Sequence, residues 1–313
     1  SDYDDIFFGV YKDLLKQSCH FTCIGNHDVI YDNGDTYIDA YYLPSNNPAG
    51  TERYYSFTWG NTKFVCLDSN IPYTVGSDQY NWMIDELKCN DRQWLYVFFH
   101  HPPWTNAWDP LYYVPFQPYY QYEGNTDMRT DLVPAFETYG VDYVLNGHSH
   151  CYQRGEYNGV QYLISGGSGT STLDFNTNSN SPNIQREEYV NQYVKFNVKG
   201  DTSYYVCVDI GGNQIDSVGT IKPWTPIRPE LSYDGTTLTS TTGDTYEWYL
   251  DGVQITGATS QTYVPTSPGV YEVFTTNQWG CIFESDPFTI SVVGLDDISF
   301  NEVSVYPNPF SDL

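Results

Sequence analysis

The sequence predicts an α/β layered domain followed by a smaller all-β domain. Strand-like apolar runs alternate with helix-like stretches in the first half of the chain, an alternation typical of α/β folds. After His150 the pattern changes to short strands separated by turn residues. A proline-containing segment, residues 223–229, then predicts a linker, and alternating short strands continue beyond it. We therefore expect two folded domains on either side of this linker.

The composition supports a folded chain. The 313 residues include 39 acidic and 13 basic side chains, for a formal net charge of −26, and 18% of the residues are aromatic. This aromatic content argues against disorder despite the charge. Nucleic acid is not an expected partner, because the Lys and Arg clusters that neutralise phosphates are missing. No apolar run reaches the length of about 18 residues that a membrane-spanning helix needs. Nothing in the sequence predicts an oligomeric state.

The elements of the first domain, residues 1–222, follow from hydrophobic periodicity. Helical spacing over residues 7–15 precedes a short apolar run at 21–24. The Ser-, Thr- and Asn-rich residues 169–185 predict a long surface loop. The remaining predicted elements are helices at 78–87 and 131–139 and strands at 63–68, 94–99, 141–145, 159–165, 192–198 and 203–210.

Residues 230–293 predict a small β-sandwich, because short alternating strands are separated by turn signals such as Asp251-Gly252. Trp248, followed later by Gly269-Val270-Tyr271, resembles the immunoglobulin-like modules appended to exported bacterial enzymes. Residues 294–313 resemble the start of the C-terminal sorting domain of the type IX secretion pathway in Bacteroidetes-like bacteria. These resemblances imply export by a Gram-negative bacterium, a secreted or cell-surface location, and the type IX secretion machinery as a partner.

Three polar clusters carry the chemistry, and each follows an apolar run: residues 25–28, 100–104 and 147–150. Five of the six histidines lie in these clusters, and only His20 lies outside them. Loops at the carboxyl ends of strands converge on one edge of a layered α/β sheet. Imidazole nitrogens and amide oxygens bind divalent metals, so the pattern predicts a metal site. The alternative is that the histidines of the third cluster are strand residues without a metal.

The three clusters resemble the motifs of calcineurin-like metallophosphoesterases. Within that superfamily the likeness is to purple acid phosphatases, because residues 147–154 are similar to their Gly-His-x-His-x-Tyr-x-Arg signature and residues 100–104 to a His-x-Pro-x-aromatic element. The resemblance implies that residues 1–222 form an α/β/β/α sandwich, incomplete at its N-terminus. It also implies a metal-dependent, acid phosphatase-like hydrolase of phosphate esters, in which two metal ions (Fe, Zn or Mn) activate water for in-line attack on phosphorus.

The resemblance also implies the roles of individual residues. Asn26, His100 and His148 would bind one metal, and His150 would bind the other. His101 is the alternative to His100, which is favoured because it holds the His-x-Pro position. His27 would act as general acid, with Asp28 orienting its imidazole. The implied substrate-binding residues are Arg154, Tyr152 and His101. For Arg154, a structural salt bridge is the open alternative to substrate contact.

The sequence also departs from the family pattern. The Asp-x-His or Asp-x-Gly and Gly-Asp-x-x-Tyr or Gly-Asp-x-x-Asp motifs that should precede Asn26 are not present. Residues 200–204 read Gly-Asp-x-x-Tyr but predict a hairpin turn. Two divalent ions without a bridging carboxylate repel strongly. We therefore expect at most one weakly held metal and weak or no activity in this chain. We also expect both chain ends to be incomplete. The alternative function is a non-catalytic cell-surface binding module with a degenerate phosphoesterase core.

Overall fold

A computed structural model describes residues 3–107, 124–175, 181, 183–223, 225, 227–241 and 243–291. The chain divides into two compact units, Ser1–Thr225 and Pro226–Leu313. The predicted sorting segment at 294–313 lies outside the described residues, so it stays a prediction. None of the helices in the described ranges is both long enough and apolar enough to cross a bilayer.

The first unit contains four α-helices and ten strands among its described residues. In chain order, after a π-helical turn at Asp4–Phe8, they are α1 Lys12–Leu15, α2 Asp35–Ala40, β1 Tyr55–Trp59, β2 Thr62–Cys66, α3 Asp78–Lys88, β3 Trp94–Phe98, α4 Thr126–Thr138, β4 Tyr143–Asn146, β5 Tyr152–Tyr157, β6 Val160–Ser165, β7 Ile184–Glu188, β8 Gln192–Lys199, β9 Thr202–Asp209 and β10 Gln214–Ile221.

The strands of this unit form two sheets. The larger has the order β1-β2-β3-β4-β6-β5-β7, and the smaller has the order β10-β9-β8. In the larger sheet β2, β3, β4 and β6 are parallel, whereas β1, β5 and β7 pair antiparallel with their neighbours. The carboxyl ends of the parallel strands therefore lie along one edge of the sheet.

Side chains alternate across β3 and define the layers on its two faces. Leu95 and Val97 are fully buried in a core that includes residues of α3 and α4. Trp94 and Tyr96 point the other way and pack in a second core with Tyr205 of the smaller sheet. The order of layers is therefore helices, large sheet, small sheet. The outer helical layer of the predicted four-layer sandwich is not found among the described residues of this unit.

The two long helices begin where side chains cap their first backbone amides. Ser77 accepts a hydrogen bond from the backbone of Tyr80 at the start of α3, and Asn125 accepts one from Met128 at the start of α4. The predicted helix at 131–139 is therefore wrong in its start, because the Asn125 cap begins α4 five residues earlier, at Thr126.

Residues 21–24 form no strand, although their sequence is a short apolar run. Their backbone is held instead by groups from neighbouring segments. The Thr22 carbonyl accepts from the Tyr55 hydroxyl at 2.7 Å, and the Ile24 carbonyl accepts from the Asn70 amide at 3.2 Å. By contrast, the hairpin predicted at 200–204 is confirmed, with Gly200 and Asp201 between the paired residues Lys199 and Thr202.

The described part of the second unit is all-β. Its strands are β11 Leu231–Tyr233, β12 Leu238–Ser240, β13 Thr245–Leu250, β14 Val253–Gln254, β15 Thr262–Tyr263, β16 Gly269–Thr276, β17 Ile282–Glu284 and β18 Phe288–Ile290. They form two antiparallel sheets around a core that contains the fully buried Trp248 and Tyr271. An immunoglobulin-like identity for this sandwich stays a prediction.

Candidate metal site

Three loops of the first unit meet at one point and bring Asn26, His100 and His148 together. His100 Nε2 lies 2.7 Å from Asn26 Oδ1, and His148 Nδ1 lies 3.3 Å from the same oxygen. The two imidazole nitrogens are 3.2 Å apart. Two nitrogens and one amide oxygen thus form a compact triangle of metal-binding atoms.

The parallel pairing of β3 and β4 places the two imidazoles. Phe98 and Leu145 are register partners near the strand ends, and the backbone N–H of Phe99 donates to the Leu145 carbonyl at 3.1 Å. Just beyond, the Gly147 N–H donates to the His100 carbonyl, also at 3.1 Å. The loops that carry His100 and His148 are therefore joined by backbone hydrogen bonds.

Backbone conformation at this edge is specialised in two places. His148 has a φ of +64°, in the left-handed region that few residues other than glycine adopt. Gly25 lies against the His100 ring, and a Cβ built on it would be 3.0 Å from His100 Cε1 and Nδ1. Such constraints cluster at functional sites because surrounding structure must hold them.

Burial keeps the clustered imidazoles neutral. Burial lowers the pKa of His100 to about 2, with further lowering by the nearby His148, His101, His27 and His150. Burial likewise lowers the pKa of His148 to about 3 and that of His101 to about 4. At neutral pH the nitrogen lone pairs are therefore free of protons that would compete with a cation.

His101 belongs to the same cluster. The ligand atoms of His100, His101 and His148 all lie within 4.8 Å of one another. The His101 ring centroid is 4.5 Å from that of His148 and 4.9 Å from that of His100. Ser69 contacts the ring, with its Oγ 2.7 Å from His101 Nδ1. The Ser69 contact was not predicted, and no local sequence pattern indicates it.

His150 has a fixed tautomer. Its Nδ1 lies 2.8 Å from the Thr172 carbonyl, which can only accept, so Nδ1 carries the hydrogen and Nε2 the lone pair. Metal-binding histidines commonly donate their second nitrogen in this way. The backbone N–H of His150 donates to Asp174 at 2.6 Å. The role of His150 as ligand of a second metal stays a prediction.

His27 and Asp28 border the cluster. His27 is exposed, and its charge contributes to the lowered pKa of both His100 and His148. The Asp28 carboxylate accepts from the Gly25 N–H at 2.8 Å and from the Tyr3 hydroxyl. Each carboxylate oxygen thus has a partner other than His27. The orienting role of Asp28 stays a prediction.

Tyr152 and Arg154 share one carboxylate from β10. The fully buried Tyr152 donates its hydroxyl to Asp216 Oδ2 at 2.8 Å, and Arg154 Nε donates to the same oxygen at 2.5 Å. Arg154 also donates to Gln185 at 2.9 Å. These contacts are those of the structural salt bridge, the alternative left open for Arg154. Substrate binding by either residue stays a prediction.

The donor atoms fit one divalent ion. The residue group able to hold a metal consists of three histidines, with no carboxylate among them in the part of the chain that the structure describes. The Asn26 oxygen adds a fourth donor to this group. A second ion beside the first would have His150 as its predicted ligand and no bridging carboxylate from the described residues.

Known proteins are similar to part of this chain. A family profile described as calcineurin-like phosphoesterase matches residues 2–152, which include all three polar clusters. Purple acid phosphatase 15 of Arabidopsis thaliana is 29% identical over 161 residues, covering 46% of this chain and 28% of that protein. A purple acid phosphatase of Glycine max is 32% identical over 155 residues, covering 46% of this chain and 31% of that protein. The matches thus span less than a third of these two relatives.

A solved structure supports the same fold. The purple acid phosphatase PPD1 from yellow lupin seeds superposes with a TM-score of 0.52 at 20% identity, over 65% of this chain and 38% of that one. Residues 2–152, slightly less than half of the chain, are therefore similar to calcineurin-like phosphoesterases, and the chain has purple acid phosphatases among its relatives. Its fold is metallophosphoesterase-like, with a mixed sheet and a β-rich C-terminal region.

Proposed function

We propose that the protein is a phosphoric ester hydrolase of the acid phosphatase type, with a metal site built on Asn26, His100 and His148. The supporting observation is the triangle of donor atoms, whose sides are 2.7, 3.2 and 3.3 Å. A tetrahedral ion with bonds of about 2.0–2.1 Å separates its ligands by about 3.3–3.4 Å. The triangle therefore needs only small adjustments to receive one ion.

The chemistry follows from the residues around this triangle. A bound divalent ion would polarise a phosphate oxygen and lower the pKa of water at the site. The half-buried, neutral imidazoles of His100 and His148 would hold the cation, and the exposed His27 follows Asn26 directly in the chain. His27 is therefore the proposed general acid. His150, with Nε2 free, is the proposed ligand of a second ion in a complete site.

The chain is strongly acidic, and this bears on how an anionic ester reaches the site. Its formal net charge of −26 opposes long-range attraction of phosphate esters. Local positive charge must then come from a bound cation, since the clustered imidazoles are neutral. Hydrolysis should therefore depend completely on metal, and slow turnover is expected from this chain when it holds a single ion.

The test combines metal analysis with a phosphatase assay. The purified chain, loaded with Zn²⁺, Mn²⁺ or Fe, is analysed for metal content and assayed with p-nitrophenyl phosphate. We expect at most one ion per chain and slow hydrolysis that a chelator abolishes. His148→Ala should lower both metal content and rate by about tenfold or more. His20→Gln is the matched control, because His20 packs against Phe7 and lies outside the three clusters.

Two results would contradict the proposal. Hydrolysis that survives both the chelator and the His148→Ala substitution would show that the triangle is not the reactive site. A folded chain that binds no metal and hydrolyses no ester would favour the alternative, a cell-surface binding module with a degenerate core. Two tightly bound ions with rapid turnover would instead refute the expectation of a single weak ion.

We also propose that the protein is exported, as a secreted or cell-surface hydrolase of a Gram-negative bacterium that uses type IX secretion. The support is the sequence resemblance at 294–313 and the acidic, Lys-poor composition. Protease treatment of intact producing cells tests the location. Digestion of the protein without lysis is expected, and complete protection would contradict export.

A further inference from the structure

We propose that His101 is a metal ligand, so that the chain holds one ion through three imidazoles and the Asn26 oxygen. This inference rests on the proposed metal site, and it replaces the substrate-binding role predicted for His101 from the sequence. The resemblance places the family's metal-binding histidine at His100. The neighbouring imidazole, that of His101, joins the cluster in the structure of this chain.

The position of the ring carries the proposal. His101 is in contact with both other imidazoles, at centroid distances of 4.5 and 4.9 Å, and its ligand atom lies within 4.8 Å of theirs. Ligands of a tetrahedral ion are separated by about 3.3–3.4 Å. The His101 ligand atom therefore lies at most about 1.5 Å farther from the other two than the ligands of one tetrahedral ion are from each other.

Ser69 decides which nitrogen faces the ion. Its Oγ lies 2.7 Å from His101 Nδ1 and also accepts the backbone N–H of His101 at 3.3 Å. Nδ1 thereby has the Ser69 hydroxyl as its partner, which leaves Nε2 as the proposed metal-binding atom. A hydrogen bond to the second nitrogen orients the ring and strengthens it as a ligand. Ser69 is thus a positioning residue for His101.

The donor set also predicts which ion is preferred. Imidazole nitrogens favour Zn²⁺ and Co²⁺, whereas Mg²⁺ and Mn²⁺ prefer carboxylate and water oxygens. The group of candidate ligands holds three imidazoles and no carboxylate among the residues that the structure describes. We therefore infer that Co²⁺ and Zn²⁺ bind more tightly than Mg²⁺ or Mn²⁺, with four protein donors available to one ion.

The experiment titrates the full chain with Co²⁺ alone, by visible absorption and calorimetry. Four-coordinate Co²⁺ absorbs much more strongly than six-coordinate Co²⁺, so the spectrum reports the ligand number directly. We expect one intensely absorbing Co²⁺ in the wild-type chain. His101→Ala should weaken binding by about 100-fold and reduce the band intensity, and Ser69→Ala should weaken binding by about tenfold. His20→Gln should leave both unchanged.

The outcomes separate this inference from the proposed function. If His101→Ala binds Co²⁺ within threefold of wild type with an unchanged spectrum, His101 is not a ligand, yet the metal site of His100 and His148 stands. If the wild-type chain binds no Co²⁺, both proposals fail. His101→Gln keeps most of the side-chain volume. If this variant folds but binds Co²⁺ more weakly than wild type, the loss supports ligation by His101 even if the alanine variant unfolds.

Discussion

The shared carboxylate of Asp216 offers the sharpest test of how the first unit is held together. Asp216→Ala removes the acceptor of two side chains from the larger sheet, Tyr152 and Arg154. If these residues brace the two sheets, the substitution reduces stability. If they bind substrate, it changes the Michaelis constant for a phosphate ester and leaves stability almost unchanged.

The magnitude follows from burial. The Tyr152 hydroxyl belongs to a fully buried side chain, and losing a hydrogen bond to a charged group costs about 1.5–3 kcal/mol. The Arg154–Asp216 pair is mostly buried, with side-chain exposures of 21% and 10%. Losing one partner of a fully buried pair costs about 3–5 kcal/mol, and partial exposure reduces that figure. A combined loss of about 3 kcal/mol is expected, which for a unit of this size lowers the melting temperature by about 6–12 °C.

Calorimetry and urea unfolding of the whole chain measure this loss. Asp216→Asn should lose less, because its amide oxygen still accepts from Tyr152. Asp201→Asn is the matched control, since Asp201 is an exposed carboxylate in the β8–β9 turn. A change below about 0.5 kcal/mol in Asp216→Ala, together with a raised Michaelis constant, would refute the bracing role and favour phosphate binding.

Three further predictions concern the site, acid stability and the second unit. Gly25→Ala should displace the His100 ring and weaken Co²⁺ binding by about tenfold. Gly219→Ala is the control and should bind Co²⁺ normally, because its added Cβ makes only an ordinary contact at 3.8 Å. Burial raises the pKa of Asp216, but the hydrogen bonds from its partners outweigh this, so its pKa is lowered from 3.8. The ionised Asp216 carboxylate therefore stabilises the fold above about pH 4, and this stabilisation is lost as the pH falls through the lowered pKa of the folded state. Asp216→Asn should flatten the decline in melting temperature below about pH 4, and an unchanged profile would contradict this. Trp248→Ala should destabilise the second unit by about 3–5 kcal/mol, because Trp248 is fully buried. The unfolding transition of the second unit measures this loss, and a change under about 1 kcal/mol would contradict the assigned core.

The parallel core of the first unit was predictable because its signals are local. The strands at Thr62–Cys66 and Trp94–Phe98 are short apolar runs, and the helix at Asp78–Lys88 follows a Ser cap. Other elements depend on tertiary pairing. The strand Tyr152–Tyr157 reads as polar, yet its two neighbours supply hydrogen bonds on both sides. Residues 21–24 have a strand-like sequence but form no strand, because their carbonyls bond to side chains instead.

The candidate site was predictable to the level of residue type and loop. Histidine enrichment after apolar runs predicted that the three clusters would meet, and the family resemblance implied Asn26, His100 and His148 as ligands of one metal. The structure brings the donor atoms of these three residues within 3.3 Å of one another. The sequence could not predict the contact between Ser69 and His101, because it depends on how the ends of β2 and β3 are aligned. Likewise, no local pattern indicates that one carboxylate, Asp216, serves two partners from another sheet.

The hydrogen bond from the Gly147 amide to the His100 carbonyl has a consequence for how such a centre can change over time. Because main-chain atoms join the two loops, the spacing of the side chains they carry is inherited from strand pairing and is independent of which side chains those are. Donor atoms at the two positions can therefore be exchanged singly while their mutual placement persists. A scaffold of this kind permits a change of preferred ion without a change of architecture.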